Sequence, residues 1–233
     1  MRRLLRSSWP ILFAALLFAL QIARAMQHAT ASLPGFVHRD LKPENVLVGI
    51  DRLPGSDPNQ PGANRLRVTD FGLAHLLQEA QVQGEGERGE GTPEAPAEQF
   101  GESSDRAQSS PLGHTRLTHG MVGTPLYMAP EQWLRQPVSA ATDIYALGCI
   151  LFEMLAGQRA VDGRTLAELE RQHCAGPRPP LPAGLPAEVQ ALLAGCLATR
   201  PEQRPGDWNE LEARLAAAYR QVTGKQAPQA AAA

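Results

Sequence analysis

Apolar and polar positions change period along this chain, and the changes divide it into four stretches. Residues 11–31 are almost continuously apolar or small. They run from Ile11 to Leu20 and on through Gln21-Ile22-Ala23-Arg24-Ala25-Met26 with no Gly or Pro. A run of that length without a breaker predicts one long buried helix over residues 9–31. Residues 36–74 read as strand and turn. Val46-Leu47-Val48 and Leu66-Arg67-Val68 are short β-type runs, and residues 51–64 between them, rich in Pro, Gly, Asp and Asn, read as a long hairpin loop. The third stretch, residues 75–122, shows neither period. The fourth, residues 123–222, is helical. Residues 141–156 are strongly apolar and end at Gly157, and helices over residues 165–174, 187–198 and 207–222 follow between Pro-rich turns. Asp207 is placed to cap the last of these, with Glu210 three residues on as its capping-box partner. Beyond it, residues 223–233 are dominated by Pro and Ala, and a frayed tail is expected.

Composition alters this picture mainly in the third stretch. Of the 233 residues 43% are hydrophobic, enough for a packed core, so wholesale disorder is excluded. The net charge of −2 argues against a nucleic-acid partner, which calls for a strongly basic face. The balance is uneven, however. Residues 79–105 carry eight acidic side chains against one arginine, Arg88, so residues 79–110 are expected to be a disordered acidic insert. Within it, Gly84-Glu85-Gly86-Glu87-Arg88-Gly89 matches a phosphate-loop pattern. No β-type run precedes it and its two glutamates would repel an anion, so it reads as linker. The three cysteines, Cys149, Cys174 and Cys196, have no C-x-x-C spacing and read as reduced thiols, which makes a cytoplasmic setting the default. His173 beside Cys174 is a weak metal signal.

The amino terminus admits two readings. Arg2, Arg3 and Arg6, the 12-residue apolar run from Trp9 to Leu20, and Ala23-Arg24-Ala25 together match a secretory signal peptide. That run is shorter than the ~20 residues a bilayer-spanning helix needs. The alternative is a buried helix that continues through Met26.

The candidate chemistry lies in four strings. His38-Arg39-Asp40-Leu41-Lys42-Pro43-Glu44-Asn45 precedes the first β-type run, and Asp70-Phe71-Gly72 follows the second. Gly123-Thr124-Pro125-Leu126-Tyr127-Met128-Ala129-Pro130-Glu131 and Asp143-Ile144-Tyr145-Ala146-Leu147-Gly148 come later. Their order and context are those of a protein kinase signature. Over nearly the whole chain the sequence resembles the carboxy-terminal lobe of eukaryotic-type Ser/Thr protein kinases of bacteria.

The resemblance implies a mainly α fold: a kinase-like C-lobe over residues 1–222, with short β-hairpins around the catalytic loop. It implies that Asp40 orients the substrate hydroxyl and accepts its proton. It also implies that Asn45 and Asp70 hold Mg2+ against ATP, and that Lys42 contacts the phosphoryl group and marks Ser/Thr specificity. Thr124 would bridge Asp40 and Lys42. Glu131 and Arg204 resemble a buried structural ion pair, and Asp143 the residue holding the backbone of His38 and Arg39. Arg39 would receive a phosphate on the activation segment, with Thr118 the first candidate and Thr115 the second. A long buried helix leading into the catalytic loop favours the helix over the signal peptide.

One departure stands out. Only 37 residues precede His38, and Lys42 and Lys225 are the only lysines. The smaller N-lobe, with its Gly-rich loop and ATP-gripping strand lysine, is therefore expected to be absent from this chain. Two function classes follow. One is an ATP- and Mg2+-dependent kinase acting on protein substrates, with a late recorded start or a partner supplying the missing lobe. The other is an inactive C-lobe serving as pseudokinase or scaffold. A secreted fragment is a third, weaker reading, and a membrane partner is not expected.

Overall fold

The computed structural model describes residues 9–51, 63–70 and 124–228. The acidic insert, the phosphate-loop look-alike, Phe71, Gly72, Thr115, Thr118 and Gly123 lie outside the described residues. Six α-helices and one β-hairpin make up what is described: α1 (Trp9–Ser32), β1 (Val46–Asp51), β2 (Ala63–Val68), α2 (Pro130–Trp133), α3 (Ala140–Ala156), α4 (Leu166–Ala175), α5 (Ala187–Cys196) and α6 (Trp208–Thr223). Short 3-10 turns occupy Pro43–Asn45 and Pro201–Gln203.

Helix α1 buries one stripe: Leu12, Ala15, Leu16, Ala19, Leu20, Ile22, Ala23 and Met26 all lie in the core. Each large aliphatic side chain removed from water there contributes about 1.5–3 kcal/mol. The stripe packs along α6, whose Trp208, Leu211, Leu215, Ala218 and Val222 recur at helical spacing on its buried face. Ala23, which begins the A-x-A pattern, is fully buried inside an unbroken helix. The whole helix, not the 12-residue run, sets the length that matters for a bilayer. Residues Pro10–Ser32 number 23 and hold an 18-residue window of mean hydropathy 1.5, long and apolar enough to cross a membrane by length and composition. That corrects the expectation drawn from the shorter run.

Helix α3 is the centre of the core, with buried side chains on every face from Ala141 to Phe152. Ser139 caps it, its Oγ accepting from the Ala141 N–H at 3.3 Å, and Gly157 closes it at φ 66°. Its Gly148 faces α5 so closely that an added Cβ would sit 2.8 Å from Cys196 Cβ and 3.2 Å from Leu197 Cδ2. Gly148→Ala is therefore expected to destabilise the fold by about 1–3 kcal/mol through overpacking, as urea denaturation would show.

The strands pair antiparallel, Val46 opposite Val68 through Asp51 opposite Ala63, so Asp51, Ala63 and Asn64 belong to the ladder rather than to the loop. A two-stranded sheet is marginal alone. This one is anchored because Leu66 and Val68 are buried against the core and Gln21 Oε1 of α1 accepts from the Leu66 N–H at 3.0 Å.

Two further expectations need correction. Asp207 does cap α6, accepting from the Glu210 N–H at 2.8 Å, but the Glu210 carboxylate takes the N–H of Gly206 at 2.7 Å, one residue before the cap. The residues after Gly224 are also held as far as Pro228. Arg24 of α1 donates to the Pro228 carbonyl while it pairs with Glu212 at 2.7 Å, and Ala227 packs against the core.

Candidate active site

The loop between α1 and β1 is shaped by a carboxylate that arrives from the first turn of α3. Asp143, 1% exposed, accepts the N–H of His38 at 2.7 Å and that of Arg39 at 2.8 Å. Burial raises its pKa to about 6, while those two N–H groups and the neighbouring His38 and Arg39 pull it down. Arg39 sits at φ 68°, a region L-residues avoid at a cost of about 1–3 kcal/mol. The surroundings hold it there: Gln132 Nε2 donates to the Arg39 carbonyl at 2.9 Å, and the same side chain's Oε1 accepts from the Ala129 N–H at 2.9 Å.

This bend presents the Asp40 carboxylate to donors from Thr124 and Lys42 and, at 3.4 Å, to the Asn45 amide nitrogen. Asp40 Oδ1 accepts from the Thr124 N–H at 2.8 Å and from the Thr124 hydroxyl at 3.0 Å. Its Oδ2 accepts from Lys42 Nζ at 2.7 Å. Lys42 Nζ also donates to Thr124 Oγ1 at 2.8 Å, which closes a triangle of Asp40, Lys42 and Thr124. Asp40 is 7% exposed, whereas the Lys42 side chain keeps 21% of its surface open. A carboxylate, a cation and a hydroxyl are thus fixed within hydrogen-bond reach of one another at the edge of solvent.

Asn45 closes the 3-10 turn below, its amide nitrogen donating to the Asp40 carbonyl at 2.8 Å. With that nitrogen turned to Asp40, Oδ1 is the acceptor the side chain keeps. The Asn45 carbonyl accepts from the Thr69 N–H at 2.8 Å, and the Thr69 carbonyl accepts from His38 Nε2 at 2.9 Å. Thr69 therefore ties the end of β2 to the loop. Asp70 follows at once, exposed and at φ 66°, the second strained residue of this region.

Glu131 and Arg204 meet away from this triangle in a buried two-point pair, at 2.8 and 2.9 Å. Nearby, the Tyr127 hydroxyl donates to Glu153 Oε2 at 2.7 Å, and burial followed by that carboxylate pushes the phenol pKa well above its usual value. Among the described residues no three His, Cys, Asp or Glu side chains form a metal cage, and all three cysteines are free. Burial lifts the Cys149 and Cys196 thiols to about 12, which leaves them unreactive near neutral pH.

The family model for the protein kinase domain matches residues 13–216. The chain belongs to the protein kinase domain family. It is 31% identical over 210 residues to the serine/threonine-protein kinase PkaA of Streptomyces coelicolor, covering 90% of this chain and 30% of that protein. It is 36% identical over 187 residues to PkaB of the same organism, covering 80% and 36%. Against the serine/threonine-protein kinase PknA of Mycobacterium tuberculosis it is 29% identical over 184 residues, covering 79% and 32%. The chain thus spans about a third of the length of these curated relatives.

In this kinase domain the structure gathers His38, Arg39, Asp40, Lys42, Asn45, Thr124 and Asp143 into one centre, with Asp70 at its rim. Sequence reading missed Gln132, Thr69 and the Tyr127–Glu153 pair. Gln132 directly follows Glu131, the last residue of the string already singled out, and that adjacency was the available signal. Thr69 and Glu153 carry no local signal, because their partners come from other elements.

Proposed function

We propose that this kinase domain transfers the γ-phosphoryl group of ATP to serine and threonine hydroxyls of protein substrates. The observation that carries the reading is the Asp40–Lys42–Thr124 triangle. An ionised carboxylate that is already bonded through both oxygens is fixed in direction, and it can orient a substrate hydroxyl and take its proton as the oxygen bonds to phosphorus. Lys42 supplies positive charge beside it, and its presence favours Ser/Thr over Tyr acceptors. Thr124 holds the two at a set separation. Asn45 Oδ1 and the Asp70 carboxylate are hard oxygen donors, the type Mg2+ takes alongside phosphate oxygens. When bound, that ion would neutralise phosphate charge.

No lysine precedes Lys42. The family resemblance implies an ATP-gripping lysine ahead of the catalytic loop, and the 233 residues carry none at such a place. The same fact supports a second reading, a folded module that binds without transferring. Free cysteines support a cytoplasmic site of action.

The test is incubation of the chain with Mg2+ and γ-labelled ATP and a basic model protein, followed by phosphoamino-acid analysis. Label on serine or threonine is expected, from the chain alone or from a longer protein that also carries the ATP-gripping lysine. A chain that folds cooperatively yet transfers nothing, alone or inside a longer protein, would leave the binding module as the function.

A further inference from the structure

A second hydrogen-bonded chain runs through the core and ends beside the triangle. His173 of α4 is fully buried, and both of its ring nitrogens are occupied. Nε2 lies 2.9 Å from the carbonyl of Pro125, and Nδ1 lies 2.8 Å from the hydroxyl of Tyr145 in α3. Arg178 Nη2 reaches the same hydroxyl at 2.6 Å. The rings of Trp133 and His173 stack with centroids 6.0 Å apart. The weak metal signal at His173 and Cys174 is thereby answered: the imidazole has no nitrogen left for a metal.

Donor and acceptor roles along this chain follow from the chemistry of its ends. A carbonyl only accepts, so Nε2 carries the hydrogen. In the neutral ring Nδ1 is then an acceptor, and the Tyr145 hydroxyl donates to it. The Tyr145 oxygen in turn accepts from Arg178, which only donates. Burial, and next the Arg178 charge, hold the imidazole pKa down at about 4, so the neutral tautomer persists at neutral pH.

Pro125 directly follows Thr124, and the Tyr127 N–H donates to the Thr124 carbonyl at 2.9 Å, so residues 124–127 form a single turn. Asp40 holds the turn at Thr124, His173 at the Pro125 carbonyl, and Glu153 at the Tyr127 hydroxyl. Proline has no N–H, so the carbonyl is the one main-chain group through which residue 125 can be held.

We propose that His173 is a positioning residue which, through its Nε2–H bond to the Pro125 carbonyl, fixes Thr124 against Asp40 and Lys42. Its catalytic consequence rests on the kinase reading above; its structural part does not.

Two variants separate the bond from the bulk of the ring. In His173→Gln an amide N–H can stand near the Nε2 position. In His173→Asn the shorter amide can still meet Tyr145 but falls short of Pro125. The readout is amide hydrogen exchange at Thr124 and Tyr127, with the amides of α3 as the internal reference. His173→Asn is expected to speed exchange at Thr124 about tenfold relative to α3, and His173→Gln to stay within about threefold of the parent. Equal behaviour of the two variants, fast or slow, would overturn the proposal, because ring packing alone would explain it. If His173→Asn does not fold, Tyr145→Phe serves instead. It removes the hydroxyl that orients Nδ1 and that also accepts from Arg178, and unchanged exchange at Thr124 would again overturn the proposal.

In a preparation that transfers phosphate, His173→Asn should lower kcat about tenfold with KM for ATP unchanged, and His173→Gln should restore it. The kinase reading fails separately: if Asp40→Asn leaves transfer intact, Asp40 loses its role while the exchange result still stands.

Discussion

Replacing Asp40 by Asn is expected to lower phosphoryl transfer by about a thousandfold while leaving the fold in place. The two side chains are nearly the same shape, but Asn cannot take a proton from a hydroxyl and carries two N–H donors. In the parent, both carboxylate oxygens face donors: Thr124 N–H and hydroxyl at Oδ1, Lys42 Nζ at Oδ2. Whichever way the new amide is turned, its nitrogen meets another donor. If it meets Lys42, the cation loses its ion pair and keeps only the Thr124 hydroxyl oxygen. If it meets Thr124, the turn over residues 124–127 loosens instead. Either outcome removes the base and disturbs one of its two neighbours, so the loss falls on kcat more than on substrate binding. Initial rates at saturating Mg-ATP would show it, with circular dichroism as the control for folding. A variant that retains more than about a tenth of the parent rate would mean that the carboxylate is not the proton acceptor, since general-base catalysis contributes at least about a hundredfold.

What could be read from the sequence depended on how local each feature is. The long first helix was legible because nothing between Ile11 and Ala31 breaks it and its apolar positions continue past Leu20. Its likeness to a signal peptide was equally local. Ala23-Arg24-Ala25 looks like a cleavage site, and only the packing of α1 against α6 shows Ala23 sealed in the core. The catalytic loop was legible because Asp40, Lys42 and Asn45 lie within six consecutive positions, where the backbone alone keeps them together. Thr124 and Asp143 came from the family resemblance rather than from spacing, since no spacing rule links them to residues some 80 to 100 positions away. Glu210 shows how short the reach of local rules can be. Asp207 was the right cap, yet the Glu210 carboxylate went to Gly206 rather than Asp207, one peptide along the same turn, and the capping box does not close. His173 was the hardest case. A buried histidine next to a cysteine suggests nothing in particular until α3, α4 and residue 125 are brought together in space.

The largest stability effect is expected at the Glu131–Arg204 pair, and the two partners should not be equivalent. Both side chains are buried, 1% and 0% exposed, so neither can recover its charge interactions from water if the other is lost. Arg204 has further partners. Its nitrogens donate to the carbonyls of Ala141 at 2.9 Å, Ala198 at 2.8 Å and Thr199 at 2.9 Å, and its guanidinium lies 4.9 Å from the centre of the Tyr145 ring. Among the described residues Glu131 has one other side-chain donor, the Thr142 hydroxyl at 2.8 Å. Arg204→Met therefore strands a buried carboxylate with a single donor and leaves three carbonyls without their guanidinium. A cost of about 3–5 kcal/mol is expected, the range for breaking a buried pair. For a domain of this size that lowers Tm by on the order of 10 °C. Glu131→Gln leaves the arginine three carbonyls, an aromatic face and an isosteric amide oxygen, so its cost should be distinctly smaller. Combining the two changes should cost less than their sum, because the stranded carboxylate is then gone. Urea denaturation of the three variants measures all of this. Equal losses for the two single variants, or a loss below about 1 kcal/mol for Arg204→Met, would show that the pair behaves like a solvated surface contact. The pair ties α2 to α3 and to the chain after α5, and α2 follows directly on the turn that holds Thr124. A loss there should therefore reach the triangle as well as the core, and Thr124 amide exchange in Arg204→Met is expected to rise along with the drop in Tm.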